Sequence, residues 1–250
     1  MAYETKVINF QDYIDLHECG RSIHDMEPLK NETYKIFAMS NVDIRVVDRD
    51  QSYPILVKTE KLNHFSTDKG GRSNKYFYSI PIQAPSGEYV GFIYRALFNH
   101  DYASIYKPFN NKAKRIPYMF GFFCDFNDYD SHKTCMPIVV CEGVKDAIVL
   151  KKIYPYVLSN NTSALRLNAN ILANITDKVL LAYDNDATGH EQAPKDKRKL
   201  AKLGCSVDIL DYSPYKDAGE FINHPKELRK LREQLKLRLK GLINGVTLLV

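Results

Sequence analysis

The side chains best suited to chemistry in this 250-residue chain are three carboxylates, Glu142, Asp184 and Asp186. Glu142 directly follows the apolar run Ile138-Val139-Val140-Cys141, and the two aspartates follow Val179-Leu180-Leu181-Ala182-Tyr183. Side chains alternate along extended backbone, so aspartates two apart project the same way and can clamp one cation. Asp146 comes four residues after Glu142 and returns to the same side of a following helix. Carboxylates held this close repel and raise one another's pKa unless a cation or hydrogen bonds offset the field. Oxygen ligands without His or Cys favour Mg²⁺ or Mn²⁺ over zinc, and the EF-hand pattern that would favour calcium is absent. Such an ion prepares phosphoryl or nucleotidyl transfer, because it positions an attacking oxygen and stabilises charge on phosphate. Gly143 and Gly189 sit at strand-to-helix turns, where glycine lets backbone amides approach an anion or accepts strained torsions. Lys216 and Asp217 add a phosphate contact and one more carboxylate after the last expected strand.

For these acids to meet, the apolar runs must be neighbouring strands of one sheet. Strands are expected over 138–141, 157–159, 179–183 and 207–210, with helices over 144–153, 164–175 and 189–203. Pro194 should kink the last of these helices or delay its start. The order βαβαβαβ and the continuous apolar runs predict a parallel sheet covered by helices on both faces. Its carboxyl edge, where open α/β sheets bind ligands, would carry Glu142, Asp184 and Asp186 together. Leu228, Leu231, Leu235 and Leu239 give the segment 227–240 one apolar stripe for docking, and its basic residues read first as a wet face and second as a DNA reader. Upstream, a helix is expected over 10–16 and an extended segment over 44–47. Aromatic and β-branched residues over 76–82 and 89–97, around Pro85-Ser86-Gly87, predict an antiparallel hairpin. A polar stretch over 125–133 separates the halves, which suggests domains at 1–135, 136–225 and 226–250.

Composition narrows the partners. Lys and Arg total 35 against 30 acidic residues, a net charge of +5 that tilts toward polyanions. Five cysteines without Cys-x-x-Cys spacing argue against a disulfide framework or a zinc finger and fit a reducing compartment. No signal core or membrane span is legible, so the expectation is a soluble cytoplasmic protein without a membrane partner. Lys195, Lys197, Arg198, Lys199 and Lys202 form a basic run that reads first as a solvated helix face.

Glu142-Gly143-Val144-Lys145-Asp146-Ala147, Asp184-Asn185-Asp186-Ala187-Thr188-Gly189 and Lys216-Asp217-Ala218-Gly219-Glu220 occur in this order. Together they resemble the toprim domain of bacterial and phage primases, topoisomerases and some nucleases. The likeness covers 137–222, although Ser159-Asn160-Asn161-Thr162-Ser163 lacks the glycine turn frequent in the family. It implies that Glu142, Asp184 and Asp186 organise the metal and the reacting phosphate, with Asp146 and Asp217 as supporting acids. Upstream, Ile80-Pro81-Ile82, Val90-Gly91-Phe92, Arg95, Tyr106-Lys107-Pro108-Phe109-Asn110 and Tyr118-Met119-Phe120-Gly121 look like the basic subdomain that precedes toprim in bacterial-type primases. That resemblance makes Arg95 and Lys107 the basic candidates for contact with template or triphosphate, in addition to Lys216 at the rim. The implied fold is α/β: a toprim-type parallel sheet flanked by helices, preceded by a smaller mixed α+β basic subdomain.

The implied activity is synthesis of short RNA primers from ribonucleoside triphosphates on a single-stranded DNA template. A toprim nuclease is the alternative, and a non-catalytic nucleic-acid-binding replication factor is the third reading. A topoisomerase is disfavoured because its cleavage domain has little room here. The zinc-binding domain that usually begins such primases and the Gly-x-x-x-x-Gly-Lys motif of a helicase are both missing from the sequence. A replicative helicase or a separate recognition protein is therefore an expected partner. The small size suggests a phage or mobile-element source, acting in the host cytoplasm.

Overall fold

The computed structural model describes residues 10–29, 32–48, 76–83, 89–96, 105–108, 136–160 and 169–244. Their elements form two compact units, one up to Pro108 and one from Ile138 onward.

The first unit is a five-stranded sheet in the order β1-β2-β3-β4-β5, with β1 at Arg21–Ser22, β2 at Arg45–Asp48, β3 at Tyr76–Gln83, β4 at Tyr89–Ala96 and β5 at Ile105–Pro108. β3 and β4 are neighbours, as the expected hairpin requires; the turn itself, 84–88, lies outside the described residues. The alternation of a strand divides the core between two helices. Val47, Phe77, Phe92 and Tyr94 pack with Leu16 of α1 (Phe10–Glu18). Tyr78, adjacent to Phe77, instead meets Phe37 of α2 (Glu32–Ala38) edge to face, with ring centres 4.9 Å apart. His17 is fully buried under this sheet, with Nδ1 2.9 Å from Ser79 Oγ and Nε2 3.6 Å from Asp43 Oδ2. Burial pushes its pKa down to about 4, so it is neutral near pH 7.

The second unit is a four-stranded parallel sheet in the order β7-β6-β8-β9, formed by β6 (Ile138–Cys141), β7 (Val157–Ser159), β8 (Lys178–Ala182) and β9 (Ser206–Ile209). From β6 the chain moves outward one way to β7, and from β8 it moves outward the other way to β9. Right-handed crossovers then require opposite faces for α3 (Val144–Lys151) and α5 (Ala187–Lys202). Accordingly Leu172 and Ala173 of α4 (Ala169–Ile175) and Ala193 and Leu200 of α5 share one core with Val140, Val179, Leu181 and Val207. Asp208, which alternates with Val207, faces the other way and pairs at 3.1 Å with Arg238 of α6 (Pro225–Ile243). Leu231, Leu235, Leu239 and Leu242 bury the inner stripe of α6, which contacts β8 and β9. Among the described residues no helix is long and apolar enough to cross a membrane.

Two expectations are corrected. The helix expected over 189–203 begins earlier, at Ala187, and contains Pro194. The Asp186 carboxylate caps its first turn, while Tyr183 donates to Asp196 at 3.0 Å and Gln192 donates to the same oxygen at 2.9 Å. These anchors lie on both sides of the proline and hold the helix against the sheet despite the missing backbone donor. The terminal helix is longer than 227–240, because Pro225 occupies its first turn, where no backbone N–H is needed, and Leu242 extends the buried stripe. Of the helix expected over 164–175, Ala169–Ile175 is helical and 161–168 lie outside the described residues.

Candidate active site

β6 and β8 are adjacent, yet the chain leaves them in opposite directions, so a crevice opens at their carboxyl ends. Cys141 is in register with Ala182, which places Glu142 and Asp184 at that edge. The Asp184 amide donates to Glu142 Oε1 at 3.3 Å, and Ser159 Oγ at the end of β7 donates to the Glu142 carbonyl at 3.2 Å. Asp186 is the N-cap of α5: its Oδ1 accepts from the amides of Thr188 and Gly189, both at 3.0 Å, which leaves Oδ2 turned to the rim. Asp146, 5% exposed, lies in the first turn of α3, and its Oδ1 accepts from the Gly219 amide at 2.9 Å.

The loop after β9 completes the rim. The Asn185 amide donates to the Lys216 carbonyl at 2.6 Å, and Asn185 Nδ2 donates to the Tyr215 carbonyl at 3.0 Å. Glu220 Oε2 accepts from the Lys216 amide at 2.9 Å. With its main chain held there, Lys216 places Nζ 3.8 Å from Asp184 Oδ2 and 3.5 Å from Asp186 Oδ2. Asp217 Oδ1 accepts from the Glu220 amide at 3.0 Å.

The two glycines are explained by room. A Cβ on Gly189 would lie 1.9 Å from the Asp184 carbonyl oxygen, and one on Gly143 would lie 2.7 Å from Asp146 Oδ2. Gly143 has φ −109° and ψ 155°, ordinary extended backbone, so close approach and not torsional strain selects glycine there.

The rim is electrostatically expensive. Burial, followed by the charge of Asp184, pushes Glu142 up to about 7. Burial and then Asp217 push Asp184 up to about 6, although Lys216 pulls it down. Burial, then Asp217, holds Asp146 well above the usual carboxylate range. Asp186 is the exception: the Gly189 amide holds its pKa below the ordinary value.

Glu142, Asp146, Asp184, Asp186, Lys216 and Asp217 are thus drawn to one edge of the second unit by these bonds and charges. Arg95 and Lys107 are carried by β4 and β5 of the first unit, where Lys107 is in register with Phe92. Types and spacing give no role to Asn185, Ser159 or Gly219, although all three stand in the stretches quoted for the resemblance. Asn185 had a signal, as the residue inside the Asp-x-Asp pair; the bonds of Ser159 to the Glu142 carbonyl and of Gly219 to Asp146 span long sequence separations and had none. Among the described residues no three His, Cys, Asp or Glu side chains are gathered as an ion cage. Instead, Asp184 and Asp186 each turn an oxygen to one cation, the Lys216 ammonium. An all-oxygen donor pair already sharing a positive charge fits a hard divalent ion.

Comparison with known proteins agrees with this architecture. Residues 139–222 match the family described as Toprim-like. No curated protein matches the sequence. The Aquifex aeolicus primase fragment, containing zinc-binding and RNA polymerase domains, is 19% identical at a TM-score of 0.61, with 89% of this chain and 59% of that chain covered. The E. coli primase catalytic core is 17% identical at a TM-score of 0.59, covering 92% of this chain and 79% of that one. A DnaG primase catalytic domain bound to single-stranded DNA is 16% identical at 0.60, covering 90% and 80%. The chain therefore spans about three fifths of the Aquifex fragment, and the fold is that of a DnaG-type primase catalytic core with a toprim-like unit.

Proposed function

We propose that this protein is a DNA primase catalytic core, joining ribonucleoside triphosphates on a single-stranded DNA template by metal-dependent nucleotidyl transfer. The observation that carries this reading is the convergence of Glu142, Asp184 and Asp186 on the crevice between β6 and β8, with Lys216 supplying charge beside the pair. Asp184 and Asp186 would hold Mg²⁺ or Mn²⁺ through their rim-facing oxygens, and Glu142 would complete its surroundings. When bound, the ion stabilises negative charge on the α-phosphate and on departing pyrophosphate.

The chain's own groups do the rest. Asp186 is fixed by the two amides that it caps, so its free oxygen is preorganised. Asp146 ties the loop of Lys216 and Asp217 to α3 and keeps the ammonium at the rim, where it can neutralise triphosphate oxygens. Arg95 and Lys107 would contact template or nucleotide from the first unit. In this scheme residues 1–135 supply the basic subdomain, 136–225 the toprim chemistry, and 226–250 an appended basic helix. A helicase or a separate recognition protein would recruit the enzyme to its template in the cytoplasm, the host's if the protein is phage-encoded.

Purified protein with Mg²⁺, labelled ribonucleotides and single-stranded DNA should yield short RNA products, and both E142A and D184A should abolish them while remaining folded. Shortening of the DNA without RNA synthesis would make the protein a toprim nuclease. Undiminished synthesis by D184A would remove the proposed site.

A further inference from the structure

Outside the acidic rim, one exposed flank of α6 carries a continuous row of cations among the described residues. Arg229, Arg232, Lys236 and Lys240 are all exposed. At 3.6 residues per turn they fall within an arc of roughly 80°, beside the buried leucine stripe and about 16 Å long. No acid lies in that arc. Glu233 borders it and is paired with Lys236 at 3.1 Å, whereas Arg229, Arg232 and Lys240 form no ion pair among the described residues. A row of like charges opposes its own assembly, so its complement is a polyanion.

A second feature lies between this row and the rim. The Tyr215 ring rests on Phe221 at a centre distance of 4.4 Å and meets the His224 ring at 5.4 Å. Tyr215 directly precedes Lys216, and its carbonyl is the oxygen bound by Asn185 of the Asp-x-Asp segment. His224 directly precedes α6 and is exposed, and its side chain makes no cap hydrogen bond. The order along the chain is thus acidic rim, aromatic pair, cationic row.

We propose that Tyr215, His224 and the row Arg229, Arg232, Lys236 and Lys240 form a track for single-stranded nucleic acid running from the carboxylate rim. Rings on which unpaired bases stack, continued by cations that follow one backbone, are how sequence-independent single-strand binders work. One cation every ~4–6 Å along a single helix face suits one phosphate chain. Arginine adds paired donors that match phosphate oxygens. The choice of a nucleic acid strand rests on the proposed function; the surface itself does not.

The test is binding of a fluorescent 20-nucleotide oligothymidylate to the whole protein, in chelator and without nucleotides, over a range of salt concentrations. Replacing all four row residues by alanine should reduce the slope of log K against log salt by about 2–3, since each single-strand phosphate contact contributes ~0.7. Affinity near 50 mM salt should fall at least tenfold, while the thermal midpoint and Mn²⁺ binding remain those of the wild type. His224→Ala should weaken the oligothymidylate roughly fivefold and leave a blunt duplex unaffected, as loss of one stacking contact requires. An unchanged slope in the quadruple variant overturns the track. So does loss of binding to vesicles rich in anionic lipid with oligothymidylate binding intact, which would make the row a membrane contact. Absence of primer synthesis by a wild-type protein that shows the expected slope would count against the proposed function and leave the track standing.

Discussion

Lys216 Nζ stands 3.5 Å from Asp186 Oδ2, although the two residues belong to loops that follow different strands, β9 and β8. The approach is built by the main chain: Asn185, between the two aspartates, is bonded by its amide to the Lys216 carbonyl. The loop after β9 therefore delivers a positive charge to the place where the acid pair has most need of one.

Removing that charge should expose the need. K216M in chelator should lower the thermal midpoint, by no more than about 1 kcal/mol of stability because the ammonium is half exposed. Added Mg²⁺ should raise the midpoint of K216M by more than it raises that of the wild type. Differential scanning fluorimetry with and without Mg²⁺ reads both; equal Mg²⁺ increments would show that Lys216 and the ion do not share the acid pair.

The raised carboxylates predict an unusual pH dependence. Glu142 binds its proton more tightly folded, with a pKa of about 7 against an ordinary 4.5, so the fold is favoured at low pH and loses this contribution as pH rises through about 7. E142Q should accordingly be more stable than the wild type at pH 8 in chelator, by about 1 kcal/mol after discounting for partial exposure, and nearly equal at pH 5. Thermal melts at the two pH values measure it; a stabilisation that is the same at both would remove ionisation as the cause.

Gly189 is the tightest packing point of the site. G189A would bring a methyl group against the Asp184 carbonyl, an overlap that only backbone movement relieves. A loss of about 2–4 kcal/mol is expected, with Mn²⁺ affinity lost in the fraction that still folds. Urea denaturation and Mn²⁺ titration test it, and wild-type behaviour in both would show that the turn has another conformation.

The Asp208–Arg238 pair, with side chains 9% and 18% exposed, ties α6 to the edge strand. R238A leaves Asp208 buried without its partner and should cost about 3 kcal/mol, whereas R238M combined with D208L should recover most of the loss. A double-mutant cycle by chemical denaturation decides it. If R238A proves as stable as the wild type, α6 is held by its leucines alone.

Much of this protein is legible from its residues because the responsible forces are local. Continuous apolar runs before Glu142 and Asp184 announced buried parallel strands, and the leucine spacing of 227–240 announced a docked helix. The two-residue spacing of Asp184 and Asp186 foretold oxygens turned to one side, and both do face the Lys216 ammonium. The helix containing Pro194 starts two residues before its expected beginning, since propensity at one position carries no knowledge of Asp186 below it or of Tyr183 beside Asp196. Nothing in the order of residues told Gly219 to donate to Asp146 or Ser159 to reach the Glu142 carbonyl. Hydrophobic periodicity specifies which segments become strands and helices, and so which end of each strand carries an acid. The meeting of those acids, their raised proton affinities and the lysine between two of them depend on which strands become neighbours. Strand order was decided only when crossover handedness and core packing brought β6 beside β8.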